Sequence, residues 1–217
     1  MKLAKGSKSW ILFSISTTIV FFILSIVFIQ FKSFIIIFLF FTFTSFLMTL
    51  FFIIFFRDPE RKNGKGIVAC ADGKIREITD IKDSDIGNCK RISTFMNLHN
   101  VHVNRSPYNG IVKSIEHKTG IHLPAFKKES EKNERVITLI NTSIGLIKIV
   151  QIAGTIARRI VPYFSKGYKI NKGERIGIIR FGSRVDLYLP INKIKKLNVK
   201  VGDIVLAGED SIAEVND

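Results

Sequence analysis

The chain has 217 residues, with 33 Lys and Arg against 18 Asp and Glu and a formal net charge of +15. These averages hide two different regions, because between Ser9 and Phe56 the only charged side chain is Lys32. That segregation excludes a single uniform soluble domain.

The apolar region comes first, as two blocks, residues 10–31 and 33–56. At about 1.5 Å per helical residue, each is long enough to cross a hydrocarbon core of roughly 30 Å. A signal peptide would have a shorter apolar segment, and no small-residue cleavage site precedes the second block. The pattern predicts two transmembrane helices. Lys2, Lys5 and Lys8 precede the first, and Arg57, Arg61, Lys62 and Lys65 follow the second. By the positive-inside rule both ends are cytoplasmic, with a tight turn near Gln30 to Ser33 on the far side of the cell membrane. An embedded hairpin that does not fully cross is the competing geometry.

Residues 57–217 have the size of one cytoplasmic domain. Four cations, Lys2, Lys5, Lys8 and Lys32, belong to residues 1–56, which hold no acidic residue, so 29 cations and 18 anions give this domain a net +11. Such an excess suits nucleic acid or anionic lipid. Attachment to a membrane anchor favours an anionic lipid surface and no nucleic acid. Cys70 and Cys89 lack metal-ligand spacing and read as ordinary thiols in a reducing compartment.

Arg57-Asp58-Pro59 ends the second helix. Short β-type runs then alternate with Gly, Asn and Asp: Ile67–Ala69, Lys74–Ile78, Lys90–Phe95, Val101–Val103, Gly110–Glu116, Val136–Asn141 and Ile144–Ile152. Thr155–Val161 and Ile191–Lys196 are the best short helical candidates. The fold class is therefore a mostly β (α+β) domain behind an N-terminal helix pair. Lys172-Gly173-Glu174 and Val201-Gly202-Asp203 are Gly-acidic turns leading into short strands, similar to the hammerhead half-motifs of lipoyl and biotinyl domains. The lysine a carrier domain would present at its hairpin tip is missing.

Near the C-terminus, Ile176–Arg180 and Val185–Leu189 both read as strands, so Gly182-Ser183 interrupts an extended apolar run. Taken alone, a glycine there marks a bulge or a close backbone approach. Six blocks in order give it another meaning: Phe55-Phe56-Arg57-Asp58-Pro59-Glu60-Arg61, Ala71-Asp72-Gly73-Lys74, Asn100-Val101-His102-Val103-Asn104-Arg105, the loop Lys128 to Arg135, Gln151-Ile152-Ala153-Gly154 with Ala157-Arg158-Arg159-Ile160, and Phe181-Gly182-Ser183-Arg184-Val185-Asp186. Together they resemble the short, membrane-anchored form of phosphatidylserine decarboxylase across nearly all of residues 55–217.

The resemblance implies a precursor that cuts itself between Gly182 and Ser183, giving chains 1–182 and 183–217. Serine is a poor nucleophile at neutral pH and needs a base that is itself oriented; the resemblance assigns the base to His102 and the orienting carboxylate to Asp72. Acyl shift, elimination and hydrolysis would turn Ser183 into a covalent pyruvoyl cofactor, with neither pyridoxal phosphate nor a metal. Its ketone would form a Schiff base with phosphatidylserine and yield phosphatidylethanolamine and carbon dioxide. His102 or His99 would protonate the carbanion, and His122 is a weaker substrate-side candidate. Cys70 stands where the family has proline, which predicts a looser turn at Asp72. The alternatives are a decarboxylase of another serine-headed lipid, such as an archaetidylserine, and a non-catalytic membrane-tethered lipid-binding β domain. The two chains of one precursor would remain partners, and a homo-oligomer is compatible with each reading.

Overall fold

A computed structural model describes residues 2–121, 123, 128–154, 159–180 and 183–216. The chain divides into two compact units, Met1–Pro59 and Glu60–Asp217. Gly182, His122 and the first four residues of the helical candidate Thr155–Val161 lie outside the described residues.

The first unit is a helical hairpin closed by a short ladder. Strand β1 (Lys2–Leu3) pairs antiparallel with β2 (Arg57–Asp58), on either side of α1 (Lys8–Val27) and α2 (Lys32–Phe55). Both helices are long and apolar enough to cross a membrane. Small polar residues bring them together, as expected where apolar surface offers no preference between neighbours: Ser14 and Thr49 share a 2.6 Å hydrogen bond, and Phe21 stacks on Phe41. Other hydroxyls bond back into their own helix, as Thr17 does to the Phe13 carbonyl at 2.9 Å. The turn falls at residues 28–31, earlier than the sequence suggests, with Phe28 packed on Phe31, Phe34 and Phe38.

The second unit is built on an antiparallel sheet. Its elements are β3 (Ile67–Val68), β4 (Gly73–Asp83), β5 (Gly87–Met96), β6 (Val103–Arg105), β7 (Gly110–Lys118), a 3-10 turn (Lys128–Lys132), β8 (Arg135–Thr142), β9 (Gly145–Ala153), β10 (Ile160–Pro162), β11 (Lys169–Ile170), β12 (Arg175–Ile179), β13 (Ser183–Pro190), a second 3-10 turn (Ile191–Lys193), β14 (Ile194–Leu197), β15 (Ile204–Val205) and β16 (Ser211–Val215). Eight strands form the main sheet in the order β11-β7-β8-β9-β13-β5-β4-β15. Two three-stranded sheets, β10-β12-β6 and β14-β16-β3, complete the fold.

Strand β13 shows how the sequence sorts the two faces. Its odd residues Val185, Leu187 and Leu189 join the hydrophobic core, together with Ile92 and Met96 of β5 and Ile147, Ile149 and Ala153 of β9. Arg184, Asp186 and Tyr188 alternate with them and therefore lie on the other face. The small sheets contribute Ile67, Ile160, Ile176 and Ile212 to the same core.

Two helical expectations need correcting. Ile160–Pro162 is a strand, pairing through Ile160 with Ile179. Ile191–Lys196 divides into a 3-10 turn and β14, because Ile194 and Leu197 pack on the core while β14 pairs with β16. Lysines 195 and 196 then stand exposed on an edge strand, where charge discourages further pairing. The strand expectations elsewhere hold, with β4, β5 and β7 longer than the sequence suggests, except Val101–Val103, where only Val103 is in a strand because pairing with β12 covers Val103–Arg105.

Gly73 begins β4 with its backbone tight against the neighbouring strand: a Cβ there would lie 2.1 Å from the Phe95 carbonyl oxygen. Gly73→Ala should lower stability by about 2 kcal/mol or more through forced backbone movement. Urea unfolding of the detergent-solubilised protein measures this, and an unchanged midpoint would contradict the packing described.

Candidate active site

Ser183 is the first residue of β13, fully buried, with Met96 of β5 opposite it on one side and Ala153 of β9 on the other. Strand β12, which precedes it, belongs to a different sheet, so the chain changes layers between Ile179 and Ser183. The Ser183 hydroxyl donates to Met96 Sδ at 3.2 Å.

His102 is also fully buried. Its Nδ1 lies 2.9 Å from the Asn100 carbonyl oxygen, and its own carbonyl accepts from the Ile179 amide at 3.3 Å. This anchors the imidazole block to β12 just before the layer change. His99 differs in kind: it sits exposed on the turn joining β5 to β6, closed by the Asn100 amide bonding to the Asn97 carbonyl.

Asp72 is buried and its carboxylate is filled from one side. Arg61 forks onto it, Nη1 to Oδ1 and Nη2 to Oδ2, each at 2.7 Å, and the Ala207 amide donates to Oδ1 at 2.8 Å. No hydrogen bond joins Asp72 to His102 among the described residues. The planar fork of Arg61 matches a carboxylate better than one imidazole N–H does. The backbone still brings the two blocks side by side. The Val68 amide bonds to the Pro107 carbonyl and the Arg105 amide to the Cys70 carbonyl, so the segment before Asp72 runs beside the one after His102.

Cys70 does not loosen that turn. Its carbonyl is held by Arg105, and the neighbouring Ala69 exchanges backbone hydrogen bonds with Asp210 and Gly208. Burial pushes the Cys70 thiol far above its ordinary range, leaving it a neutral apolar side chain there.

Other motif residues, to which the sequence assigns no role, prove to make buried ties, one of them at the same strand end. Asn133, from the loop Lys128 to Arg135, donates to the carbonyls of Leu123 at 2.6 Å and Ala153 at 2.7 Å, and accepts from the Leu123 amide. It thereby fastens that loop to the register partner of Ser183. Arg105 reaches across to the Gly173 carbonyl at 2.9 Å. Arg184 forks onto Asp186 at 2.7 and 2.6 Å on the face opposite Ser183, beside a cleft of about 190 Å³ lined by Glu131, Arg135, Lys148 and Tyr188. Burial opposes the Arg184 charge, but the Asp186 hydrogen bonds and charge outweigh it, so the guanidinium holds its proton more firmly than in water. The signal for these residues was their position inside blocks of mixed polar and apolar sequence; their partners were not visible there. Among the described residues, no group of three His, Cys, Asp or Glu side chains could hold a metal ion.

A family model described as phosphatidylserine decarboxylase matches residues 48–213. Among curated relatives, a protein of Methanococcoides burtonii named as an archaetidylserine decarboxylase proenzyme is 42% identical over 216 residues, 98% of this chain and 96% of its own. Phosphatidylserine decarboxylase proenzymes of Streptomyces coelicolor and Thermobifida fusca are 51% and 49% identical, covering 71% of this chain and 68% and 69% of theirs.

The buried Arg61–Asp72 fork makes a clear demand on stability. Arg61→Leu strands a carboxylate in the interior and should cost about 3 kcal/mol or more, whereas removing both charges together with apolar residues should cost much less. Urea melts of the single and double variants read the difference, and equal losses would show that the pair is not coupled.

Proposed function

The chain belongs to the phosphatidylserine decarboxylase family, and we infer that it is a self-processing decarboxylase converting phosphatidylserine to phosphatidylethanolamine and carbon dioxide. One observation carries the reading: a fully buried serine hydroxyl heads the central strand, follows a glycine, and has only a thioether for a partner among the described residues.

That placement supports self-cleavage. The Ser183 hydroxyl attacks the carbonyl carbon of Gly182 while His102 takes its proton. The acyl group moves from nitrogen to oxygen, the resulting ester is eliminated to leave dehydroalanine on the small chain, and hydrolysis with loss of ammonia leaves the pyruvoyl group. The products are chains 1–182 and 183–217. Asp72 supports the imidazolium: a carboxylate has about four acceptor positions, and Arg61 and the Ala207 amide use only part of them.

The residues around Ser183 fit a small uncharged ketone, since the position is dry and flanked by Met96 and Ala153. The pyruvoyl group supplies a carbonyl that takes up the substrate's primary amine and accepts the electrons released as carbon dioxide leaves. We assign to His102 the return of a proton to carbon as well. His99, exposed on its turn, is the second donor candidate and is better placed to meet a headgroup arriving from solvent.

The two apolar helices anchor the chain in the membrane. Their flanking cations favour a decarboxylase unit at the cytoplasmic leaflet, with its net positive charge toward anionic lipid. The near full-length similarity to the M. burtonii protein supports a second substrate reading, an ether-linked archaetidylserine.

Ser183→Ala should leave one uncut chain and no carbon dioxide release, and His102→Ala should accumulate precursor more completely than Asp72→Asn. Intact mass spectrometry is the test; decarboxylation by Ser183→Ala protein would overturn the mechanism. Vesicles carrying ester-linked or ether-linked serine lipid separate the two substrates. Comparable turnover of the ester lipid supports phosphatidylserine, and turnover confined to the ether lipid assigns the alternative. A protein beginning at Arg57 should still cut itself yet turn over vesicle lipid poorly, and more poorly as salt rises, because screening weakens its only remaining hold on the surface.

A further inference from the structure

The histidine block and the Gln-Ile-Ala-Gly block each carry a buried carboxamide, Asn104 and Gln151, that the mechanism above leaves unused. Asn104 lies on β6 opposite Gly177, and Gln151 on β9 opposite Val185, so they belong to different sheets. They meet across the core. Gln151 Nε2 donates to Asn104 Oδ1 at 2.8 Å, which turns Asn104 Nδ2 the other way. There it lies 3.6 Å from Met96 Sδ, the same sulfur that the Ser183 hydroxyl approaches at 3.2 Å.

A thioether is a weak acceptor. Two strong donors, one of them the nucleophile, are therefore buried against a partner that satisfies neither well, an arrangement proteins usually avoid. The fold also makes room for the amides. A Cβ on Gly177 would lie 3.3 Å from Gln151 Nε2 and 2.6 Å from the Val161 carbonyl oxygen, so the strand beside the pair carries no side chain there.

We propose that Asn104 donates the hydrogen bond that stabilises the oxyanion formed during self-cleavage, and that Gln151 is the residue positioning it. The proposal rests on Ser183 being the nucleophile. As Oγ bonds to the Gly182 carbonyl carbon, the hydroxyl proton passes to His102 and the carbonyl π electrons move onto oxygen. Collapse of that centre breaks the bond to the Ser183 nitrogen, which recovers the proton as the ester forms. The developing oxyanion is the strong acceptor that the cluster lacks among the described residues. Asn104 Nδ2, which shares the Met96 sulfur with Oγ, exchanges that sulfur for it. Gln151 prevents the amide from turning over, which would point a carbonyl oxygen at the new negative charge.

The test follows cleavage of the full chain from cell-free synthesis, timed by gel electrophoresis. Asn104→Leu/Gln151→Met removes both amides at nearly constant volume. Cleavage should slow about 100-fold or more, with its pH profile unshifted because the base is untouched, and Gln151→Met alone should fall between. Hydroxylamine, which cuts the ester, should not restore cleavage. The same pair of changes in a Ser183→Ala background should leave the melting temperature unchanged or raised, since the poorly served Asn104 donor is gone and both partners of the Gln151–Asn104 hydrogen bond are replaced together. Cleavage by the double variant within about threefold of the parent, well short of the loss expected for an oxyanion donor, would overturn the proposal. So would fragments released by hydroxylamine at the parent rate, which would place the donor's action after the acyl shift. A melting temperature lowered enough to unfold the precursor at the assay temperature would overturn it too, by showing that the amides merely hold the core. Cleavage of Ser183→Ala itself would instead sink the underlying reading of the nucleophile.

Discussion

The position of Ser183 in the hydrogen-bonded middle of the main sheet is the constraint on which everything else depends. Strand β13 is paired along one edge with β5 and along the other with β9, so the backbone that carries the hydroxyl has no freedom to seek its target. A reaction at that point has to be brought to the strand by its surroundings. This gives buried polar side chains such as His102, Asn104 and Gln151 a purpose in a core that is otherwise mostly apolar.

Those side chains act mainly on backbone. Asn133 holds Ala153, Arg105 holds Gly173, and Arg61 joins Asp72 to the segment around Ala207. Each tie joins stretches far apart in sequence, and each is worth little in isolation once the cost of desolvation is counted. Their common effect is preorganisation: the groups around the nucleophile are fixed before any charge develops, so no reorganisation is needed when it does.

Much of this was legible in the chain itself. The helical hairpin follows from the near absence of charge between Ser9 and Phe56, and the β character from alternating apolar residues and turn formers. Ser183, His102 and Asp72 could be singled out as candidates because the blocks that hold them match those of a known family in order. The partners could not. That Asp72 faces Arg61, that Asn104 meets Gln151, and that β12 and β13 lie in different sheets are consequences of long-range pairing, which leaves no local periodicity. The helical reading of Ile191–Lys196 failed for the same reason: apolar residues spaced three apart suit a helix, but pairing with β16 decides the outcome.

The layer change before Ser183 also determines what a cut molecule would be. The segment after Gly182 holds β13 at the centre of the main sheet, β15 at its edge, and two of the three strands of a smaller sheet. Neither the main sheet nor the β14-β16-β3 sheet is complete without both pieces. Folding, which is unimolecular for the precursor, would become a search between two separate chains once the bond is broken, and would then depend on their concentration. Each molecule would thus assemble its reactive group only after reaching the native state, and a cut protein that unfolds would have lost the covalent link that made the first folding efficient.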